Sequence, residues 1–141
     1  MTALEKMTAW LQTFPLWQEE SLSVDYVDAL PGNAGLYPEG LEQVSRREDV
    51  LGNVTVENRL HFVLYRVTSG QQDNRENSLW LLELQSWVQQ QSAAGLAPSF
   101  GDVPHRERIV AQKGKLKSAS QTGTGKYAVN LTVEFTKQYE K

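Results

Sequence analysis

Gly123-Thr124-Gly125-Lys126 has the glycine–lysine spacing of a phosphate-binding loop. The full pattern G-x-x-x-x-G-K-[ST] would need glycine where Ser120 stands and a small hydroxyl residue where Tyr127 stands. It would also need a helix to follow, so that its first N–H groups face the phosphate. The alternating residues after Lys126 predict a strand instead, so the segment reads as a hairpin loop. The two histidines, His61 and His105, fall on different predicted elements and show no paired metal-ligand spacing. Asp25 and Asp28 lie three apart on a predicted strand, which points them to opposite faces and argues against a shared acid pair. No serine sits in a G-x-S-x-G elbow. The chain has no cysteine, which removes disulfides, thiolate zinc sites and a cysteine nucleophile.

Lys113, Lys115 and Lys117 form an alternating basic row that could touch phosphates through charge alone. The row has no interleaved aromatics, and the chain carries 14 basic against 17 acidic residues for a net charge of −3. A solvated strand face or a subunit contact is the better reading, and nucleic acid is not an expected partner. No catalytic, cofactor-binding or metal-binding residue is assigned, and no enzyme activity is expected. The residues singled out are the run Arg46, Arg47, Glu48 and Asp49, read as a subunit interface on a projecting hairpin.

The elements that would carry these residues follow from the periodicity. Asp73 to Gly95 is the main predicted helix. Asp73 and Glu76 have capping-box spacing, and Trp80, Leu84, Trp87, Val88 and Gln91 recur on one face, widened by Leu81 and Leu82. Gly95 suits a left-handed C-cap, and Pro98 bars continuation. A shorter helix is predicted over residues 3–14, with Leu4, Met7, Trp10 or Leu11, and Phe14 on one side, ended by Pro15. Residues 22–29 alternate as a strand. Leu30 to Gly40 reads as a loop from its glycines and prolines, with a short extended piece at Gly35–Tyr37. Residues 41–50 and 54–68 form a long hairpin about Gly52-Asn53, with Val54, Val56, Leu60, Phe62 and Leu64 on one face. Residues 106–117 form a moderate strand. Residues 126–139 form the clearest one, with Tyr127, Val129, Leu131, Val133 and Phe135 pointing one way. Trp80, Trp87, Val129, Leu131 and Val133 are expected to be buried together.

The order α-β-β-β-α-β-β lacks the regular alternation of a parallel doubly wound sheet. It predicts an α+β domain over residues 1–141, a mostly antiparallel sheet of four to five strands with two helices on one face. Its length suits a single modest core. The N-terminal residues show no signal-peptide pattern, and no apolar run reaches the roughly 18 residues that span a membrane. A soluble protein with no membrane partner is expected.

The runs EKMTAWLQTFPLW, VDYVDALPGNAGLYPEGLEQVSRREDVLGN, FVLYRVTSGQQDNRENSLWLLELQSWVQQQSAAGLAPSFGD and GTGKYAVNLTVEFTKQYEK resemble small tail-region proteins encoded in prophages of Gram-positive gut bacteria. These are called minor capsid or minor tail proteins. The order of elements is also similar to that of siphophage tail terminator proteins, in which a helix-covered antiparallel sheet assembles into a ring, commonly of six subunits. The resemblance implies a structural role in the virion, self-association into a ring, with a hexamer as the form it favours, and contact with tail-tube and head-completion proteins. It also implies assembly in the bacterial cytoplasm. The alternative reading is a small non-enzymatic ligand- or partner-binding domain of the bacterial host.

Overall fold

The computed structural model describes residues 2–17, 21–24, 33–69, 74–119 and 124–141. Helix α1 spans Ala3–Leu11, strand β1 Ser21–Val24, β2 Asn33–Glu48, β3 Val54–Ser69, helix α2 Asn74–Ala93, β4 Arg108–Ala119 and β5 Thr124–Tyr139. The strands form one sheet in the order β1-β2-β3-β5-β4. The β2–β3, β3–β5 and β5–β4 pairs are antiparallel, while β1 runs parallel to β2 over Asn33–Leu36. This is the α+β arrangement the periodicity predicts, with both helices on one face of the sheet.

Helix α1 begins at Thr2, whose side-chain oxygen accepts the Glu5 N–H at 3.1 Å. That spacing is a helix-start signal the sequence reading overlooked. The helix is shorter than expected. Residues 12–14 continue as tighter turns, with the Thr13 N–H donating to Trp10 and the Phe14 N–H to Leu11. Helix α2 ends as expected, with Gly95 at φ +71°. The Leu96 N–H donates to Gln91 and the Gly95 N–H to Ser92, so carbonyls of the last turn are satisfied. The capping position Asp73, like Asp25 and Asp28, lies outside the described residues.

The core lies between the helices and the sheet. Met7, Leu11, Leu84 and Val88 meet Leu36, Phe62, Leu64, Val129, Leu131 and Val133, all buried. The register Phe62↔Leu131 and Leu64↔Val129 sets these side chains shoulder to shoulder on one face. Trp80 is buried as expected, whereas Trp87 is half-buried and stacks on Trp10 with ring centroids 4.9 Å apart. Gln91 has a reason to share the apolar side, because it accepts the Trp10 indole N–H at 3.2 Å. Leu81 faces inward and Leu82 does not, being 60% exposed, so the buried stripe is narrower than predicted. Arg66 is buried beside Trp80, its guanidinium 4.2 Å from the ring centroid.

The expected loop over Leu30–Gly40 is a strand from Asn33 onward. Pro38 lies past the stretch paired with β1, where among the described residues β2 has only β3 beside it. Such an edge position beside a bulge tolerates proline. The register shifts between Pro38 and Gly40, and again between Gln43 and Ser45. Gly40 adopts φ +133°, which side-chain-bearing residues seldom do. Each bulge moves the facing of β2 by one residue, so Leu36, Leu41, Gln43 and Arg46 share the helix-facing side despite their mixed parity.

Strand β4 has its own shifts between Gln112 and Lys115 and between Leu116 and Ser118. Simple alternation therefore no longer assigns Lys113, Lys115 and Lys117 to a common face. The residues following Gly123 form β5, so no helix N-terminus follows the glycine–lysine segment.

Candidate assembly surface

Strands β2, β3 and β5 run on beyond the helices towards the β2–β3 turn. The predicted hairpin is present, but it is not a bare pair. Every residue of β3 from Val54 to Ser69 pairs with β5, which closes the second edge. The hairpin's own open edge, among the described residues, is that of β2 from Tyr37 to Glu48.

The end of this ribbon is held by Asp49. Its N–H donates to the Asn53 carbonyl at 3.0 Å, and its carbonyl accepts the Gly52 N–H at 3.1 Å. Its carboxylate accepts the Leu51 and Asn53 N–H groups at 2.9 Å each and the Asn53 side-chain amide at 3.1 Å. Those bonds, the Asn53 N–H first, hold the carboxyl below its ordinary value of 3.8. Asp49 thus spends its oxygens inside the turn. Its structural work is to present Val50, fully exposed, and Leu51, 75% exposed, at the tip.

Arg46 and Glu48, two apart on one strand face, form an ion pair at 3.6 Å with both side chains half exposed. Such a pair is worth about 0–1 kcal/mol. Arg47 lies on the opposite face, opposite Thr55, and has no ion-pair partner among the described residues. Of the predicted interface residues, Arg46, Arg47 and Glu48 are therefore displayed to solvent around an apolar tip.

A second charged feature was missed by the sequence reading because it depends on register. Glu42, Arg59, Glu134 and Arg108 stand in one row across β2, β3, β5 and β4. Arg59 approaches Glu42 at 3.8 Å and donates to Glu134 at 3.2 Å, while Arg108 grips both oxygens of Glu134. The row reads minus, plus, minus, plus, with Glu42 and Arg108 at its open ends. His61 lies beside it, with Nε2 3.5 Å from Glu42 and Nδ1 3.3 Å from the Thr132 hydroxyl.

The hydrogen bond from Arg108 is the main cause holding Glu134 below its ordinary value of 4.5, with Arg59 adding to it. A depressed carboxyl contributes stability above its unfolded pKa and loses it as the pH falls through the folded value. Thermal stability should therefore drop on acidification below about pH 4.5. Glu134→Gln should remove part of that dependence, as read by melting curves of both proteins across the acid range. Parallel pH profiles for the two would show that Glu134 carries none of it.

Among the described residues, no group of three or more histidine, aspartate or glutamate side chains is placed to hold a metal ion. No described helix is long and apolar enough to cross a membrane. The sequence matches no protein-family model and no curated protein.

Proposed function

We propose that the protein is a structural component of a phage or prophage virion, a tail terminator or head–tail joining protein that works by ring-forming self-association. The observation that carries this reading is the β2–β3–β5 end. It extends past the helices, displays Arg46, Arg47 and Glu48, and ends in the apolar Val50–Leu51 tip. Exposed apolar groups on an ordered turn fit a contact that covers them in an assembly. A contact between two different surfaces, repeated about an axis, closes into a ring. The resemblance to tail terminators supplies the number six, tail-tube and head-completion proteins as partners, and the virion as the site of action. In this reading the role is mechanical and needs no catalytic group.

The test is Arg46→Glu with Arg47→Glu in virions. Both positions are exposed, so the isolated variant should fold and melt like the parent. Tails should then be irregular in length or fail to join heads, as counted by negative-stain microscopy. Tails of normal length on normally joined heads would overturn the assignment of this end as the assembly surface.

A further inference from the structure

The two lateral edges of the sheet complement each other. At the β2 edge, Leu41 is 62% exposed on the helix-facing side, and Glu42, about half exposed, ends the charged row on the other side. At the β4 edge the pattern is mirrored. Arg108, 65% exposed, ends the same row with the opposite sign. On the helix-facing side a groove of about 800 Å³ runs between α2 and β4, with Leu82, Ile109 and Ala111 among its walls. Register places Leu41 level with Ile109, through Leu60 and Val133, and Glu42 level with Arg108.

The geometry points to a second copy of this chain as the occupant of the α2–β4 groove. Leu41 of one copy seats against Leu82 of the next, and Glu42 of the first meets Arg108 of the second. The contact extends the alternating charge row from copy to copy without placing like charges together. Strand direction permits it, because β4 runs antiparallel to β2, so a neighbour in the same orientation meets it antiparallel. The neighbour does not add a strand at this point. The Ile109 N–H already donates to the Ser92 hydroxyl at 3.0 Å, and the Ala111 carbonyl accepts from Gln85 at 3.3 Å. Side chains of α2 thus blunt the β4 edge, and the contact is made by side chains. Because the two surfaces differ, it is head-to-tail. This inference rests on ring-forming self-association as proposed above; it places the copy-to-copy contact at the two lateral edges and leaves the Val50–Leu51 end for a further contact in the assembly.

The absence of cysteine from the chain makes the test direct. Leu41→Cys and Leu82→Cys place single thiols at exposed positions and leave both charges intact. Each variant chain carries a single thiol, so a 41–82 bond must join two copies, and it forms only where their Cα atoms come within about 7 Å. Oxidising the two variants mixed at high concentration should give a 41–82 dimer in several-fold higher yield than either variant alone. Arg108→Glu in the Leu82→Cys chain should reduce that yield. Light scattering that shows self-association without a 41–82 bond would overturn this contact and leave ring formation standing, as would equal cross-linking of each variant with itself. A chain that stays monomeric at millimolar concentration, with no cross-link, would overturn both readings.

Discussion

Phe62→Ala should lower the free energy of unfolding by about 3–5 kcal/mol, the cost of removing a large side chain from a closed core. Phe62 is 1% exposed, on the one strand that has full-length neighbours on both sides, and it stands opposite Leu131, itself fully buried. Neighbours fixed by sheet pairing on both sides relax little into a void, which puts the cost towards the upper end. Trp87→Ala is the informative comparison. Sequence periodicity alone places Trp87 in the core, yet it is half-buried and held largely by stacking on Trp10 and a tilted contact with Phe14 at 5.3 Å. Its loss should cost about 2 kcal/mol. Urea unfolding of the two variants measures the order. A Trp87→Ala cost equal to or above that of Phe62→Ala would mean that the deepest part of the core lies at the α1–α2 contact rather than at β3.

Gly101→Ala should destabilise the protein by about 1–3 kcal/mol although the residue sits in a loop. A Cβ at Gly101 would press on the Thr136 carbonyl oxygen inside van der Waals contact and come within 3.1 Å of the Phe135 ring. Backbone cannot move aside as the end of a flexible side chain can. The loop must instead lift from β5, where it continues the work of β4 past Arg108. The Asp102 N–H donates to the Thr136 carbonyl at 2.8 Å, and the Asp102 carboxylate accepts the Gln138 N–H at 2.7 Å. Glu107 braces the same loop by accepting the Phe100 N–H and the Ser99 hydroxyl. Hydrogen exchange should accelerate at Asp102 and Gln138 in the variant, and the melting temperature should fall. Gly95→Ala is the control. It strains a left-handed φ but meets nothing within 4 Å, so it should cost about 1 kcal/mol and leave Gln138 protected. Unchanged exchange at Gln138 in Gly101→Ala would mean that the loop is not docked as described.

The readable parts of this fold are those where one periodicity runs unbroken. Residues 127–135 alternate without interruption, and the structure buries each of the odd positions. Helix α2 shows its stripe, its end at Gly95 and its partner sheet. Legibility fails where the chain changes step. Gly35, Pro38 and Gly40 read as parts of a loop because a strand with bulges uses the same residues for a different purpose. The row from Glu42 to Arg108 is invisible for the same reason, since its members come from four strands whose alignment two β2 bulges reset. Asp49 looked like one more exposed charge in a run of four, and only the turn geometry shows where its oxygens are used. The exposed Arg46, Arg47 and Glu48 were legible because a run of charge has nowhere else to go. Arg66 was not, because its burial depends on Trp80 arriving from another element.

The pairing of all of β3 with all of β5, with no register shift along it, has a mechanical consequence. At about 3.3 Å per residue the sixteen-residue strands form a strut roughly 50 Å long. Tension along the strut loads its hydrogen bonds in shear, all sharing the force, whereas tension across it would peel them one after another. The β2 ladder, broken at two bulges, yields first under the same pull. A tug on the Val50–Leu51 tip is therefore transmitted by β3 and β5 to the far end of the sheet, while β2 bends to take up the misfit.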